Sequence, residues 1–132
     1  MTPAVVDTDV VSFLFKNDTR AQLYLPLLRN RKLLVSFMTE AELEQWILLA
    51  KWGASRVQRF RGFMKGFASV PSSRDLILQW ADVMVAARAN GRRIESADAW
   101  VAAAALLYGA SLVTHNPKDY RGVPNLTVLS CA

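Results

Sequence analysis

Ala4-Val5-Val6-Asp7-Thr8-Asp9 is the stretch on which the fold turns. Three apolar residues without polar alternation read as a strand buried on both faces, and an acid follows directly. Similar runs return at Leu33-Leu34-Val35-Ser36-Phe37, at Ala68-Ser69-Val70 before Pro71, at Ser111-Leu112-Val113-Thr114 and at Leu126-Thr127-Val128-Leu129. Between them the apolar spacing becomes helical. Leu43, Trp46, Ile47 and Ala50 recur at i, i+3, i+4 and i+7 in a helix expected to open at Thr39 and end at Gly53. Val57, Phe60, Met64 and Phe67 form a second stripe, and Leu76, Trp80, Val83, Met84 and Ala87 a third that runs to Gly91. An Ala-rich helix is expected over 96–108, ended by Gly109, and a shorter one over 20–29 behind an Asp18-Thr19 cap. Residues 10–15 read as helical or turn-like. Strands alternating with helices predict an α/β fold: one domain over 1–132, with a central, mostly parallel sheet of about five short strands flanked by helices.

The bulk composition fits that reading. A chain of 132 residues that is 52% hydrophobic can bury a core without disulfides. That apolar fraction implies either a thoroughly buried sheet or an apolar patch kept for a partner. The lone Cys131 has no intrachain partner, which points to a reducing, cytoplasmic setting. Asp7 and Asp9 interrupt the N-terminal apolar run, so no signal peptide is read there. The longest apolar stretch, 99–113, contains a glycine and is too short to span a bilayer, so no membrane association is expected. The net charge of +5 is unevenly placed. Residues 51–93 carry nine basic and two acidic side chains, against five and six in 1–50 and two and three in 94–132. A basic middle between acidic flanks fits a polyanion laid beside a metal site, although taken alone it fits a solvated helical face better.

With one His and one Cys the chain offers no Ser-His-Asp set, no CxxC and no Gly-rich phosphate loop. Four acids remain: Asp7, Glu42, Asp98 and Asp119, each at a strand end or an expected helix start. Each has a second reading. Asp7 can be a surface acid or a helix cap, and Asp9 a ligand, a cap or a hydrogen-bonding neighbour. Glu42 can close a capping box with Thr39, with Glu40 or Glu44 as the acid that matters. Asp98 can serve the positive end of its helix. Asn116, Pro117 and Asp119 are ordinary turn formers. His115 fits a surface or stacking role better than catalysis. Carboxylates gathered at one site repel and take up protons unless a cation sits among them. An all-oxygen set suits Mg²⁺ or Mn²⁺ rather than zinc, and such ions act on phosphodiesters.

The spacing of these residues resembles that of PIN-domain ribonucleases, in particular the VapC toxins of bacterial toxin–antitoxin pairs. Val5-Val6-Asp7-Thr8-Asp9-Val10-Val11-Ser12 is similar to the opening motif, with Asp9 where the family has Asn. Ser36-Phe37-Met38-Thr39-Glu40-Ala41-Glu42-Leu43 looks like the second and selects Glu42. Ser96-Ala97-Asp98 before Ala102-Ala103 matches the third. Gly109-Ala110-Ser111-Leu112-Val113-Thr114-His115-Asn116-Pro117-Lys118-Asp119-Tyr120 is similar to the fourth, with Asn116 and Asp119 completing the site. The resemblance implies a PIN fold and Mg²⁺- or Mn²⁺-dependent cleavage of RNA, with tRNA among the candidate substrates. It also implies a homodimer and a cognate antitoxin. Asp7, Glu42, Asp98 and Asp119 are the implied metal ligands, with Asn116 beside them. Rival readings are a PIN nuclease that processes RNA without being a toxin, a phosphatase of the haloacid dehalogenase type using Asp7 and Asp9, and a non-catalytic RNA-binding module.

Overall fold

Strand β1 (Ala4–Val6) lies at the centre of a parallel five-stranded sheet in the computed structural model, which describes residues 2–132. β2 (Leu33–Ser36) and β3 (Ala68–Val70) extend the sheet on one side of it. β4 (Ser111–Val113) and β5 (Val128–Leu129) extend it on the other, giving the order β3-β2-β1-β4-β5. The register pairs Ala4 with both Leu33 and Ser111, and Val6 with Val113. The chain therefore builds outward in one direction, then returns to the centre and builds in the other. The crevice at that switch opens where β1 and β4 end, next to Asp7 and Thr114.

Side-chain alternation along the strands divides the core in two. Val5, Leu34, Val70 and Leu112 face one layer, with Leu76, Val83 and Ala87 of α5 (Arg74–Ala89) and the buried Ala99–Ala105 stretch of α6 (Ser96–Leu107). Alanines here let α6 lie close to both the sheet and α5. Ala4, Val6, Val35 and Val113 face the other layer. That layer holds α1 (Thr8–Lys16), α2 (Ala21–Leu28), α3 (Phe37–Ala50) and α4 (Ala54–Met64). Phe15 stacks on Trp52 and meets Phe60 and Phe63 edge-on or tilted, so α1 and α4 are joined by aromatic contacts. Phe60 is fully buried, and Trp46, Trp52, Phe63 and Phe67 are packed against the same core. The exposed apolar surplus lies elsewhere, most fully at Leu48, Leu49 and Val85.

Several boundaries differ from the sequence-based expectation. α3 opens at Phe37, two residues before Thr39, because Ser36 turns its hydroxyl to accept from Met38 N at 3.1 Å. Thr39 therefore lies inside the first turn, fully buried, and makes no capping box with Glu42. α3 ends at Lys51, which takes the left-handed conformation itself, and Gly53 instead precedes α4. Asp18 does not cap α2; its carboxylate holds Arg20 through backbone and guanidinium. The last strand is only two residues long. Gly91 and Gly109 do sit at positive φ just past α5 and α6, where a side chain would be strained.

Candidate active site

The carboxyl ends of the strands open onto a pocket of about 340 Å³. Asp7, Thr8, Asp9 and Ser12 line it from β1 and α1, Glu42, Leu43 and Trp46 from α3, Asp98 from α6, and Asn116 and Asp119 from the segment after β4. All four acids singled out in the sequence thus face one space, with Asp9 as a fifth. None of the ten lining side chains is basic. The two ion pairs among the described residues, Arg20–Asp18 and Arg61–Glu44, involve none of these acids.

Asp7 is the most buried of the five and the most tightly held. Its backbone N–H donates to Val113 O at 2.9 Å, continuing the β1–β4 ladder past the strand end. Its Oδ1 accepts from Thr8 N at 2.8 Å. Its Oδ2 accepts from Thr114 Oγ1 and from Tyr120 Oη, each at 2.8 Å. Tyr120 is buried in the 3-10 turn Pro117–Tyr120 and also approaches Asp98 Oδ1 at 3.4 Å. Burial, then the charges of Asp7 and Asp98, raise the phenol far above its usual range, so it stays a donor. Sequence reasoning missed Tyr120 because an aromatic closing a polar loop reads as a packing residue.

Thr8 does the same for the next acid. Its hydroxyl donates to Glu42 Oε1 at 2.8 Å and lies 3.1 Å from the buried Thr39 Oγ1. Glu42 is therefore tied to α1, which packs beside its own helix in the same layer. Asp98 is placed by the start of α6, where Trp80 Nε1 donates to Ser96 O at 3.2 Å and Trp80 stacks on Trp100. Burial and the charges of Asp7, Asp119 and Glu42 push its carboxyl up to about 6. Asp119, in the 3-10 turn, is exposed.

Asp9 lines the same pocket but is held from the side of the 115–116 segment. Its Oδ1 accepts from Val10 N at 2.7 Å, and its Oδ2 from His115 N at 3.0 Å and Asn116 Nδ2 at 2.9 Å. Burial, then the nearby Asp7 charge, raise its carboxyl above the ordinary range. Both oxygens are engaged by N–H donors, so Asp9 has the hydrogen bonding of a fixed acceptor and not that of a general acid. His115 packs edge-on against Phe13 and Tyr24, and Tyr24 Oη hydrogen-bonds its Nδ1. That is a stacking role, away from the acids.

A PIN domain model matches residues 4–125. The chain belongs to the PIN-domain family. Among named relatives of this PIN chain, Ribonuclease VapC1 of Haemophilus influenzae (strain R2866) is 27% identical over 92% of each sequence. The solved structure of VapBC-1 from nontypeable Haemophilus influenzae superposes with a TM-score of 0.80 at 25% identity, over 96% of both chains. VapBC2 from Rickettsia felis, bound to a DNA fragment from its promoter, gives 0.83 at 19% identity over 98% of both chains and speaks to the PIN fold alone.

The pocket's donor chemistry fits a hard divalent cation: carboxylate oxygens from four elements, no basic side chain to neutralise them, and one carboxyl raised first by burial and then by its neighbours' charge. As the side chains lie, no three Asp, Glu, His or Cys among the described residues form a metal-holding group. The acids share the pocket without meeting in a closed cluster, which is what mutual repulsion favours.

Proposed function

We propose that this PIN protein is a Mg²⁺- or Mn²⁺-dependent endoribonuclease and the toxin of a toxin–antitoxin pair. The observation that carries the reading is the pocket at the β1–β4 switch, with five carboxylates and no cation among its lining residues. Asp7, Glu42, Asp98 and Asp119 are the residues that would hold the metal. When bound, the ion would polarise the scissile phosphate and lower the pKa of the attacking water. The chain's own part is to aim and hold those carboxylates. Thr114 and Tyr120 fix the Asp7 carboxylate through Oδ2, and Thr8 fixes Glu42. Asn116 N donates to Thr114 Oγ1 at 3.1 Å while its side chain reaches Asp9, which pins the loop after β4 against α1. Removing a hydrogen bond that orients a metal ligand typically changes metal affinity or activity by about 10–100-fold.

The ribonuclease name of the Haemophilus relative supports RNA as the substrate class, and the structures of VapBC toxin–antitoxin systems support a cognate antitoxin as partner. Homodimerisation belongs to the same reading. No helix among the described residues is long and apolar enough to cross a membrane. The phosphatase alternative is not favoured, because Asp9 would have to act as general acid and its oxygens already accept three N–H donors.

The test is Asp98→Asn. Wild-type protein should cleave RNA only with Mg²⁺ or Mn²⁺, leaving 3′-hydroxyl and 5′-phosphate ends, and the variant should be inactive while folded. A folded Asp98→Asn protein with undiminished metal-dependent cleavage would overturn the assignment. Growth arrest on induction, relieved by co-expressing a cognate antitoxin, would separate a toxin from an RNA-processing enzyme.

A further inference from the structure

A second pocket, of about 280 Å³, abuts the acidic one and has the opposite character. His115, Asn116, Pro117, Lys118, Arg121 and Ala132 line it, and Asn116 lines both. None of these six side chains is acidic, and Lys118 and Arg121 are exposed, with no ion-pair partner among the described residues. The wall is built rather than loose. The 3-10 turn Pro117–Tyr120 is closed by Asp119 N donating to Asn116 O at 3.1 Å, and Tyr120 anchors it in the core. Gly122, directly after Arg121, packs so tightly on Arg92 that an added Cβ would lie 2.2 Å from Arg92 O. His115 is oriented as well. Cys131 N donates to Tyr24 Oη at 3.1 Å, and Tyr24 Oη also hydrogen-bonds His115 Nδ1, which fixes the ring against Tyr24.

We propose that this pocket is a phosphate subsite, holding the backbone phosphate of the RNA strand next to the one presented to the acids. The inference rests on the nuclease reading above and deepens it. A carboxylate-lined pocket repels a polyanion until a cation binds, so a strand needs fixed positive charge immediately beside it. Lys118 and Arg121 supply that charge from the same rigid turn that carries Asp119. The basic segment 51–93, which the charge distribution favours for this duty, contributes no lining residue to either pocket, and its Arg61 is paired with Glu44.

The experiment compares Lys118→Gln/Arg121→Gln with a charge-matched control, Arg29→Gln/Lys32→Gln, whose side chains are exposed just before β2. Equal melting temperatures establish that both are folded. The probe is a fluorescein-labelled single-stranded RNA of mixed sequence, followed by anisotropy in EDTA and by cleavage in Mn²⁺. The subsite variant should bind about tenfold more weakly than the control, and its slope of log affinity against log salt should be shallower by about 0.7 for each phosphate that is no longer neutralised. In cleavage, its KM should rise while kcat holds. Equal affinity and slope in the two variants, or a loss confined to kcat, would overturn the subsite. Wild-type protein that binds RNA through Lys118 and Arg121 yet leaves it intact with either metal would instead remove the nuclease reading and keep the subsite.

Discussion

The two pockets beside the 115–121 segment are assembled in different ways. The acidic one draws its carboxylates from β1, α3, α6 and the turn after β4, positions 7, 42, 98 and 119. It exists only because the parallel sheet brings those ends to one edge. The basic one comes almost wholly from a single turn, residues 115–118 and 121, and needs only that turn to be rigid. In the first, the charges are mutually repelling and, except at exposed Asp119, at least partly buried, with Asp7 and Glu42 held by hydroxyls and N–H groups. In the second, charge is exposed and free to meet a ligand. Substitutions in the two should therefore fail differently: acids through turnover and metal affinity, bases through strand affinity.

Asp7→Asn should have the largest effect. It removes the carboxylate that accepts from Thr8 N, Thr114 Oγ1 and Tyr120 Oη. The loss in kcat should exceed the roughly 100-fold upper range for a residue that only orients a ligand, because Asp7 is proposed as a ligand itself. Single-turnover cleavage at saturating RNA measures it. A loss expressed only in KM would erase the distinction between the two pockets.

Tyr120→Phe comes next. It deletes one of the two hydroxyls on Asp7 Oδ2 and leaves every carboxylate in place. Metal affinity should fall by about 10–100-fold, with stability lowered by on the order of 1 kcal/mol for the missing hydrogen bond. Excess Mn²⁺ should restore cleavage in this variant and not in Asp7→Asn. Failure of that rescue would mean that Tyr120 does more than orient Asp7.

The strands and Asp7 were legible in the sequence for a physical reason, whereas Glu42, Asp98 and Asp119 were singled out through the resemblance to the PIN-domain motifs. A strand buried on both faces has to be a continuous apolar run, and an acid placed directly after one stands out. What escaped was what depends on side-chain partners. Thr39 and Glu42 have the spacing of a capping box, but Ser36 takes the cap and frees Glu42 to meet Thr8. Tyr120 and Thr8 hold the acids, yet neither carries a charge that marks it. Lys118 and Arg121 lie in a segment whose acids outnumber its bases, so the charge count did not mark them, while the basic excess over 51–93 drew attention to helices whose cations line neither pocket.

Asp98→Asn also reports on stability without RNA. Its carboxyl rises from 3.8 to about 6 on folding, so between those pH values the folded chain holds a proton the unfolded chain has released. Stability from this group is then present at low pH, falls as pH rises through that window, and is lowest above it. With metal absent at neutral pH, Asp98→Asn should raise stability by on the order of 1 kcal/mol, a figure reduced from the full shift because the group is partly solvated. Saturating Mg²⁺ should stabilise the wild type and narrow or reverse that difference. Thermal melts across pH with EDTA and with Mg²⁺ measure both arms. A wild type more stable than the variant in EDTA at neutral pH would show that the acids are not in mutual repulsion.

The smallest effect is expected at Asp9, where this chain departs from the Asn its motif resembles. Asp9 accepts from Val10 N, His115 N and Asn116 Nδ2, and an Asn side chain offers one acceptor oxygen in place of two. Asp9→Asn also removes a charge that burial and Asp7 disfavour. These changes oppose each other: one hydrogen bond weakens while a repulsion next to Asp7 disappears. Cleavage at saturating metal should change by only a few-fold, on the order of one net hydrogen bond. The affinity for Mn²⁺ should fall slightly, because one negative charge has left the pocket. Isothermal titration with Mn²⁺, set beside the Asp98→Asn titration, ranks the two acids. Loss of Mn²⁺ binding in Asp9→Asn as complete as in Asp98→Asn would make Asp9 a ligand and would move the 115–116 backbone into the metal site.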